Sequence, residues 1–462
     1  MNKRKVIVLF LFLSFLITGC MAKNSEMNNT EEPITVTVWH YYNGKQKEAF
    51  DSLLENFNQT LGLEKGILVT AESKGSVSNL EESIIAAAEK KAGSEILPDI
   101  TAAYADTAIK MHQLGLLTNI NEYMTKEELN EYNPFFLAEG SLTENELHIL
   151  PVAKATELLY LNKTDWDVFA KEKGYDLSIL STWEGIRNVA EAYYEWSKGK
   201  TFFGRDAAAN FMLVGFHQLG KDIFQESEGK VNIVIDNSIL KRIWDTYSKP
   251  YIQGYYGAFG KFRSDDIKTG DIIAAVASTS SVTYYPKEVT LYNGTTYPIE
   301  MIVLPLPDFY GTEKSVVQQG AGMAVFKSTK AKEKAAVEFL KWFTNEEQNI
   351  SFCVDTGYLP VKTNFKIKEL MKEALDNMNI PNDALIYENS ILGLETILNS
   401  DLYSPIPFED GSAKRSIITR YLTEELEIYK KHYKEIGIEQ RDSFLETCYE
   451  EWIINFKNEL EN

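Results

Sequence analysis

One stretch of the sequence, Gln319 to Val361, decides the fold, and it reads QGAGMAVFKSTKAKEKAAVEFLKWFTNEEQNISFCVDTGYLPV. Gly320 and Gly322 lead into a short apolar strand that we predict at Met323 to Phe326. The apolar residues of the next segment recur at intervals of three and four, which is the period of an amphipathic helix. Those residues are Ala336, Phe339, Leu340 and Phe343. The pattern therefore predicts a strand followed by a helix with one face in a core.

A second helix is predicted directly after the first. Thr344 is the expected cap, with Glu347 three residues later as the other half of a capping box. Gly357 occupies the position where a left-handed residue commonly ends a helix, and Pro360 prevents the helix from resuming. The buried stripe of this helix is expected to comprise Ile350, Cys353 and Val354.

The chain upstream alternates strands and helices. Ile34 to His40 alternates apolar and polar residues, as a half-buried strand does, and strand and helix patterns then alternate as far as Gly115. This order predicts α/β architecture with a parallel sheet covered by helices. Ligands of such sheets lie beyond the carboxyl ends of the strands. Three loops are therefore expected to share one ligand-facing rim: Tyr41 to Gly44, Ser73 to Ser78 and Tyr104 to Asp106.

Length and composition set the outer limits. At 462 residues the chain is too long for one ordinary domain and suits two domains or two lobes. Its hydrophobic content of 44% supports sizeable cores. Its formal net charge of −20 is repelled by phosphate backbones and anionic membranes, which argues against nucleic-acid binding.

The order of features from Gln319 to Val361 is a glycine-entered strand, a helix, a capped helix and GYLPV. This order closely resembles the corresponding segment of family 1 extracellular solute-binding proteins, the ligand receptors of ABC importers for sugars and related polyols. The resemblance extends over Ile34 to Asn462. It includes His148 to Asn162, which is similar to the segment in which such chains first cross between lobes. It implies a two-lobed, periplasmic-binding-protein-like α/β fold of type II, with crossing strands between the lobes and a ligand cleft at the hinge.

The resemblance also implies how the chain is divided. Lobe one is expected at 34–148 plus 312–365, and lobe two at 149–311 plus 366–462. Beyond Val361 we expect three amphipathic helices that return to lobe two.

The amino terminus is predicted to lie outside the fold. Residues 3–5 are basic, Val6 to Ile17 is a short apolar segment, and ITGC ends at Cys20, which resembles the lipobox of bacterial lipoproteins. Residues 1–20 are therefore expected to be a signal peptide with Cys20 lipidated, and residues 21–33 a polar, flexible tether. An ordinary signal peptide with a chance cysteine is the alternative. Lipidation would place the protein on the extracellular face of the bacterial cell membrane.

Position on the rim nominates ligand-binding residues. Tyr42, Ser76 and Asp106 lie in the three rim loops. One of Tyr41 and Tyr42 is expected to pack inward, and Asp106 could instead only cap a helix. A continuous apolar strand at Asp271 to Ala277 leads to three further candidates, and the alternative role of the two serines among them is capping of a turn. These are Ser280, Ser281 and Tyr284.

The resemblance adds four candidates. Gly320 matches a family position where backbone meets ligand, and Tyr358 aligns with a cleft tyrosine of the glycerol-3-phosphate-binding branch. Lys154 and Arg205 fall where that branch carries a polar cleft residue and a tryptophan. If both point inward, the ligand would bear phosphate or carboxylate, because arginine recognises both groups through paired hydrogen bonds. A solvent-facing ion pair of Arg205 with Asp206 is the alternative.

The sequence contains no motif of a catalytic or metal centre. Its five histidines are scattered, without an HExxH pair or a His–Cys cluster at zinc spacing. No Walker loop, nucleophile elbow or dinucleotide fingerprint is present. We therefore expect no catalytic residue, metal or cofactor. The expected partners are a sugar or polyol, ABC permease subunits and the membrane reached through the lipid anchor, and the receptor itself should be a monomer.

Two functional alternatives and one covalent alternative stay open. The same fold could serve a sensor kinase as a ligand co-receptor, or the protein could be a surface enzyme that acts on glycans. Cys353 and Cys448 fall on apolar helical stripes and are expected to be small core residues. A disulfide between them would be permitted outside the cell.

Overall fold

The computed structural model describes residues 32–362, 366–377 and 384–462. The first part of the chain comprises β1 (Ile34–His40), α1 (Gly44–Gln59), α2 (Leu61–Lys65), β2 (Ile67–Ser73), α3 (Val77–Ala88), β3 (Ile100–Ala103), α4 (Ala105–Gln113), α5 (Lys126–Leu129), α6 (Pro134–Gly140) and β4 (Ile149–Leu150). The middle part comprises β5 (Glu157–Asn162), α7 (Lys163–Lys173), α8 (Trp183–Trp196), β6 (Phe203–Arg205), α9 (Ala208–Gln218), β7 (Phe224–Ser227), β8 (Lys230–Ile233), α10 (Asn237–Ile243), α11 (Lys249–Gln253), α12 (Arg263–Thr269), β9 (Ala274–Ser278), β10 (Glu288–Thr290), β11 (Thr296–Pro298), β12 (Met301–Leu304) and β13 (Ser315–Val317). The last part comprises β14 (Gly322–Val325), α13 (Lys330–Phe343), α14 (Glu346–Thr356), α15 (Ile367–Asn377), α16 (Ala384–Asn399), β15 (Asp401–Tyr403), α17 (Gly411–Leu422), α18 (Glu424–Glu435) and α19 (Arg441–Glu461).

The first sheet is the predicted parallel sheet with one returning strand. Its five strands have the order β2-β1-β3-β14-β4. β1 is parallel to β2 and β3, whereas β14 is antiparallel to β3. Helix α1 packs against β2 and helix α13 against β1. The carboxyl ends of β1, β2 and β3 therefore meet at one edge, where a ligand site was expected.

The second sheet has four strands in the order β12-β5-β9-β6. β5 is antiparallel to β12 and to β9, and β6 is parallel to β9. All six residues of β5 are buried, because helices or loops cover both faces of this strand. The buried strand predicted at Asp271 to Ala277 is confirmed as β9. Each sheet has its own large hydrophobic core, so the molecule has two α/β lobes.

Three segments of the chain meet between the two sheets. Residues 151–156 join β4 to β5, and residues 318–321 join β13 to β14. Ala155 and Gln319 exchange backbone hydrogen bonds of 2.9 and 2.8 Å, so these two crossings run antiparallel. Lys154 and Leu359 exchange a second pair, of 2.9 and 2.6 Å. The GYLPV segment that decided the fold prediction therefore packs directly against the crossing.

The stretch from Gln319 to Val361 folds as predicted in its order of elements. β14 is followed by α13 and α14, the predicted helical stripes are buried, and Gly357 ends α14 with a φ of +75°. The predicted cap is wrong by one residue. Asn345 caps α14 by accepting a hydrogen bond from the Glu347 amide, whereas Thr344 ends α13. The Thr344 hydroxyl donates to the Leu340 carbonyl at 2.8 Å inside the core, so it is not available to the next helix.

The carboxyl-terminal region differs from the prediction. Five helices, α15 to α19, follow Val361 among the described residues, rather than three. The first of them, α15, packs against α14 and buries Ile367, Met371 and Leu375 in the first core. The chain therefore returns to the second sheet after α15 and not at residue 366. Helix α16 packs on β5 and β12, and α19 contributes Trp452 to the second core.

The two cysteines of the described residues are core residues, as predicted. Cys353 is buried in the first core and Cys448 in the second, and both are free thiols. The alternative disulfide between them is therefore not formed. Cys20, the signal peptide and nearly all of the predicted tether lie outside the described residues. Within the described part of the chain, no helix combines the length and the apolar character needed to cross a bilayer.

Candidate ligand-binding site

A cleft of about 480 Å³ lies between the two lobes, at the carboxyl ends of β1 and β3. The first lobe lines it with Tyr41, Asn43, Gln46, Tyr104, Gly320 and Tyr358. The second lobe lines it with Asp206, Ala207, Lys261, Phe262, Ser264, Ser278, Ser280, Ser281 and Tyr284. The crossing segments contribute Ala155 and Gln319. A small ligand in this cleft would touch both lobes and the hinge between them.

Three tyrosines, Tyr41, Tyr358 and the half-buried Tyr104, form an aromatic wall on the first lobe. The rings of Tyr41 and Tyr104 are nearly parallel, with 6.4 Å between centroids. The hydroxyl oxygens of Tyr41 and Tyr358 are 3.4 Å apart. Burial raises the pKa of all three phenols above its ordinary value, so each stays protonated and can donate a hydrogen bond. The wall therefore combines apolar ring surface with hydroxyl donors.

The opposite wall is the turn that follows β9. Residues Thr279–Tyr284 form a 3₁₀ helix whose first amide groups are capped by Ser278. The Ser281 hydroxyl donates to the Ser278 carbonyl at 2.6 Å, and the hydroxyls of Ser278 and Ser280 are 3.0 Å apart. The cap of this turn is therefore Ser278, and not Ser280 or Ser281, for which capping was the predicted alternative. Ser280 and Ser281 line the cleft. Their hydroxyls keep free hydrogen-bonding capacity for a ligand, because a hydroxyl has one donor site and two acceptor sites.

Two hydrogen bonds link the lobes across the cleft. The Tyr284 hydroxyl donates to the Asn43 carbonyl at 3.4 Å. The Gln46 side-chain amide donates to the Ser280 carbonyl at 3.3 Å. Both are long and therefore weak. They join the amino-terminal end of α1 to the serine turn, so the two lobes approach each other closely at this point.

One acid and one base face the cleft. The pKa of Asp206 is raised to about 6 by burial, although the Arg263 guanidinium beside it, 3.4 Å from its oxygen, acts in the opposite direction. Lys261 lies over the Phe262 ring, and no carboxylate of the described residues pairs with it. The remaining polar groups of the cleft are neutral amides and hydroxyls.

The structure exchanges the roles of the two adjacent tyrosines. Tyr42 is only 2% exposed and packs its ring edge against Phe50, Phe352 and Tyr358. It does not line the cleft, and its neighbour Tyr41 does. The reason is the alternation of side chains continuing past β1, which sends Tyr42 into the aromatic core of the first lobe.

Asp106 lies beside the cleft rather than in it. It is buried and forms an ion pair with Arg415 of α17, and it accepts a hydrogen bond from the Phe408 amide at 3.4 Å. It borders a second cavity of about 340 Å³, which shares Tyr104, Ala207 and Gln319 with the main cleft. Asp106 also does not cap α4, whose first turn has no side-chain cap. Its contact instead connects the two lobes.

The prediction that two cations could face the ligand is wrong for both residues. Lys154 is 2% exposed, pairs with Glu139 and donates to the Gly320 carbonyl at 2.8 Å. Arg205 is equally buried and pairs with Glu157 of β5.

The alternative ion pair of Arg205 with Asp206 is also wrong, because the guanidinium contacts only the backbone carbonyl of Asp206. The ring of Trp183 lies 5.6 Å from the Arg205 guanidinium. Each buried cation requires a neutralising negative charge. Acids of the protein supply that charge, so neither cation needs a charged group on the ligand.

Of the last two candidate residues, one lines the cleft and the other does not. Ser76 caps α3 by accepting a hydrogen bond from the Asn79 amide and does not line the cleft. Gly320 does line it, with a φ of +93°. A Cβ atom at this position would lie 2.7 Å from the Ala153 carbonyl oxygen, so a glycine is required where the crossings pack together.

Several cleft residues were not predicted. Tyr41, Asn43 and Tyr104 lie in rim loops that were identified as loops, without the individual side chains. Gln46 begins α1 and has no distinguishing sequence signal. Lys261 and Phe262 lie in a loop of the second lobe, where neither strand nor helix periodicity places a side chain. Only the tertiary arrangement brings them to the cleft.

The fold and the cleft define a class of protein, the two-lobed receptor that holds a small ligand at its hinge. The chain belongs to the family of bacterial extracellular solute-binding proteins, because the model of this family matches residues 52–378.

The chain is similar to one curated relative in sequence and to solved structures in fold, at low sequence identity. The maltotriose-binding protein of Pyrococcus abyssi is 22% identical over 362 residues, covering 76% of this chain and 70% of that protein. The cyclic alpha-maltosyl-1,6-maltose binding protein of Arthrobacter globiformis is similar with a TM-score of 0.65 at 18% identity, covering 93% of this chain and 100% of that one. UgpB of Mycobacterium tuberculosis, solved with glycerophosphocholine, is similar with a TM-score of 0.67 at 16% identity, covering 92% and 98%.

The buried pair of Arg205 and Glu157 predicts a large effect on stability. Replacement of Glu157 by glutamine leaves the guanidinium charge buried without its counter-charge, which should cost about 3–5 kcal/mol of unfolding free energy. Glu48→Gln is the matched control, because Glu48 pairs with Lys45 while its side chain is 68% exposed. That change should cost less than about 1 kcal/mol. Urea unfolding measures both values, and equal costs would contradict the buried pair.

Proposed function

We propose that this protein captures a neutral carbohydrate or related polyol in its interlobe cleft and delivers it to an ABC permease. The observation that carries the proposal is the chemistry of the cleft. Aromatic rings and amides line the wall of the first lobe, hydroxyls line the opposite wall, and the two cations that could have selected an anion are turned away and neutralised. Sugars present an apolar face and a ring of hydroxyls, and each desolvated hydroxyl left unpaired costs about 1–3 kcal/mol.

The relatives support this ligand class. Two of the three proteins compared above are named for binding maltose-type oligosaccharides, maltotriose and cyclic alpha-maltosyl-1,6-maltose. Proteins of this family are binding proteins, and we propose that this chain likewise acts without catalysis. A ligand that touches both lobes favours their closed arrangement to the extent of its differential affinity for that arrangement.

We further propose the cellular setting that the amino-terminal sequence supports. Lipidation at Cys20 would hold a monomeric receptor on the extracellular face of the cell membrane, with residues 21–33 as a tether. Lobe one would comprise residues 34–150, β14 to α14 and α15, and lobe two β5 to β13 and α16 to α19. The predicted boundaries at 148 and 312 shift because β4 pairs in the first sheet and β13 packs in the second core. The permease would contact the lobe surfaces that flank the cleft.

A second candidate ligand is a glycerophosphodiester or sugar phosphate. Lys261 faces the cleft without a carboxylate partner among the described residues, so it could meet one phosphate charge. UgpB, a structural relative of this chain, was solved with glycerophosphocholine. Asp206, on the same wall, opposes an anion once it is ionised. The neutral ligand therefore fits the cleft better.

The direct test is a thermal-shift screen with maltotriose, cyclic glucans, glycerophosphocholine and sugar phosphates. A ligand present at about 100 times its dissociation constant should stabilise the protein by about 2.7 kcal/mol. We expect neutral oligosaccharides to raise the melting temperature saturably, and chromatography to show no product after prolonged incubation. A shift with anionic ligands alone would favour the phosphate alternative. Product formation would identify an enzyme.

Tyr284 provides a variant that tests the cleft itself. Its side chain is 42% exposed at the mouth, so Tyr284→Ala should leave folding intact. Loss of the ring from a sugar face should weaken binding roughly tenfold, which corresponds to about 1.4 kcal/mol. Tyr310→Ala is the control, because Tyr310 is 75% exposed and lies outside the cleft. Titration calorimetry measures both, and equal affinities for the two variants would place the ligand elsewhere.

Asp206 predicts a pH dependence of binding. Its pKa is about 6, so the carboxyl is mostly protonated below that pH and loses an acceptor site for sugar hydroxyls. Affinity should therefore fall, by up to about tenfold, between pH 7.5 and about pH 5. Asp206→Asn should bind with little dependence on pH, and an unchanged slope in that variant would show that another group is responsible.

The stability of the unliganded protein should change in the opposite direction. Because burial raises the Asp206 pKa from 3.8 to about 6, the protonated form favours folding. This contribution is complete below pH 3.8 and is lost as the pH rises through about 6. Denaturant unfolding of the Asp206→Asn variant and of wild type across that pH interval measures the effect of Asp206 on stability, separately from its effect on ligand binding.

A further inference from the structure

We propose that His112, Glu146 and His148 form a binding site for a divalent transition-metal ion, with Zn²⁺ as the best match. None of the three lines the ligand cleft. Each offers one ligand atom, and these atoms all lie within 4.8 Å of one another. Two imidazoles and one carboxylate are a ligand set that zinc uses in proteins. Sequence spacing gave no sign of this site, because His112 is brought to the other two only by the fold.

Distances within the cluster fit a zinc ion. Nε2 of His148 lies 3.4 Å from Oε2 of Glu146. Ligands bound tetrahedrally at about 2.0–2.1 Å from zinc stand about 3.3 Å apart, so this pair already has the required spacing. The rings of His112 and His148 are 4.5 Å apart between centroids. A small side-chain rotation is enough to bring His112 into the same coordination sphere.

The tautomer of His148 points its free lone pair at the proposed ion. Nδ1 of His148 lies 3.1 Å from the Thr118 carbonyl oxygen, which can only accept a hydrogen bond. Nδ1 therefore carries the proton, and in the neutral ring Nε2 presents a lone pair. That lone pair faces a carboxylate oxygen, which is also an acceptor. A proton or a metal cation between them resolves the conflict, and a histidine held by a backbone carbonyl on its other nitrogen is the usual arrangement of a metal ligand.

Neighbouring groups orient the Glu146 carboxylate and leave the cluster open to solvent on one side. The Thr143 hydroxyl donates to Oε2 of Glu146 at 2.9 Å and so orients it. The Glu146 side chain is 45% exposed, whereas that of His148 is 4% exposed, so the cluster opens to solvent on one side. Water can complete the coordination from that side. The charge of Lys327 acts on His112 and opposes a cation, and the Glu146 carboxylate supplies the compensating negative charge.

The position of the site indicates what a bound ion would do. Helix α4 begins next to Tyr104 in the cleft and carries His112 near its other end, about 12 Å away. Glu146 and His148 lie just before β4, which leads into the first crossing segment. An ion would therefore tie the far end of a cleft-lining helix to the start of the hinge. It should raise stability without contacting the ligand.

The test uses purified protein without a histidine tag, treated with chelator and titrated with Zn²⁺ by calorimetry and with Co²⁺ by visible absorption. We expect one ion per chain and the intense visible bands of a four-coordinate Co²⁺ site. His112→Ala and Glu146→Gln should each weaken binding at least tenfold. Ligand affinity in the cleft should stay the same in both variants, so the result does not depend on the proposed function.

Two matched controls distinguish this site from adventitious surface binding. Glu144→Gln makes the same substitution two positions away in the same loop, and His432→Ala removes an exposed histidine of α18. Both should bind Zn²⁺ like wild type. Absence of binding, or affinity that survives His112→Ala and Glu146→Gln, would overturn the proposal.

Discussion

The two-lobed arrangement depends on one buried charge at the place where the chain crosses between sheets. Lys154 pairs with Glu139, donates to the Gly320 carbonyl and shares backbone hydrogen bonds with Leu359. A buried ammonium group without acceptors would cost several kcal/mol, so its charge fixes the positions of Glu139 and Gly320, while the Lys154 backbone holds Leu359. The close packing at this crossing requires a glycine at position 320, because the Cβ atom of any other residue would collide with the Ala153 carbonyl. The hinge is therefore specified by electrostatics and by the absence of one Cβ atom.

The same principle shapes the cleft. Arg205 and Glu157 satisfy each other inside the second lobe, and Glu157 also accepts hydrogen bonds from Asn210 and Gln319. Gln319 belongs to the crossing and lines the cleft, so this buried network runs from the lobe core to the ligand surface. Because the strong charges are neutralised behind it, the surface that a ligand meets consists mainly of rings, amides and hydroxyls. The proposed preference for a neutral ligand rests on this neutralisation of the buried charges.

The sequence predicted those features that depend on local pattern. The order strand, helix, helix around Phe343 and the buried β9 follow from periodicity and turn residues, and both are confirmed. Of the three predicted rim loops, those at Tyr41 to Gly44 and Tyr104 to Asp106 contribute to the cleft, whereas the loop at Ser73 to Ser78 does not. Prediction from the sequence failed where residues distant in sequence decide which way a side chain points. Tyr41 rather than Tyr42 faces the cleft because Phe50 and Phe352 take the second ring. The acids that neutralise Lys154 and Arg205 are 15 and 48 residues away, so no local pattern could reveal them.

The ion pair between Asp106 and Arg415 shows why a ligand, rather than the protein alone, should decide closure. It joins α4 of the first lobe to α17 of the second. Burial raises the pKa of Asp106 despite the neighbouring guanidinium, so desolvation outweighs the attraction between the charges. A contact of this kind adds little net stability to the closed arrangement. In the proposed function, opening would hydrate both charges at little cost, and a ligand that fills the cleft and touches both walls would set the balance between open and closed lobes.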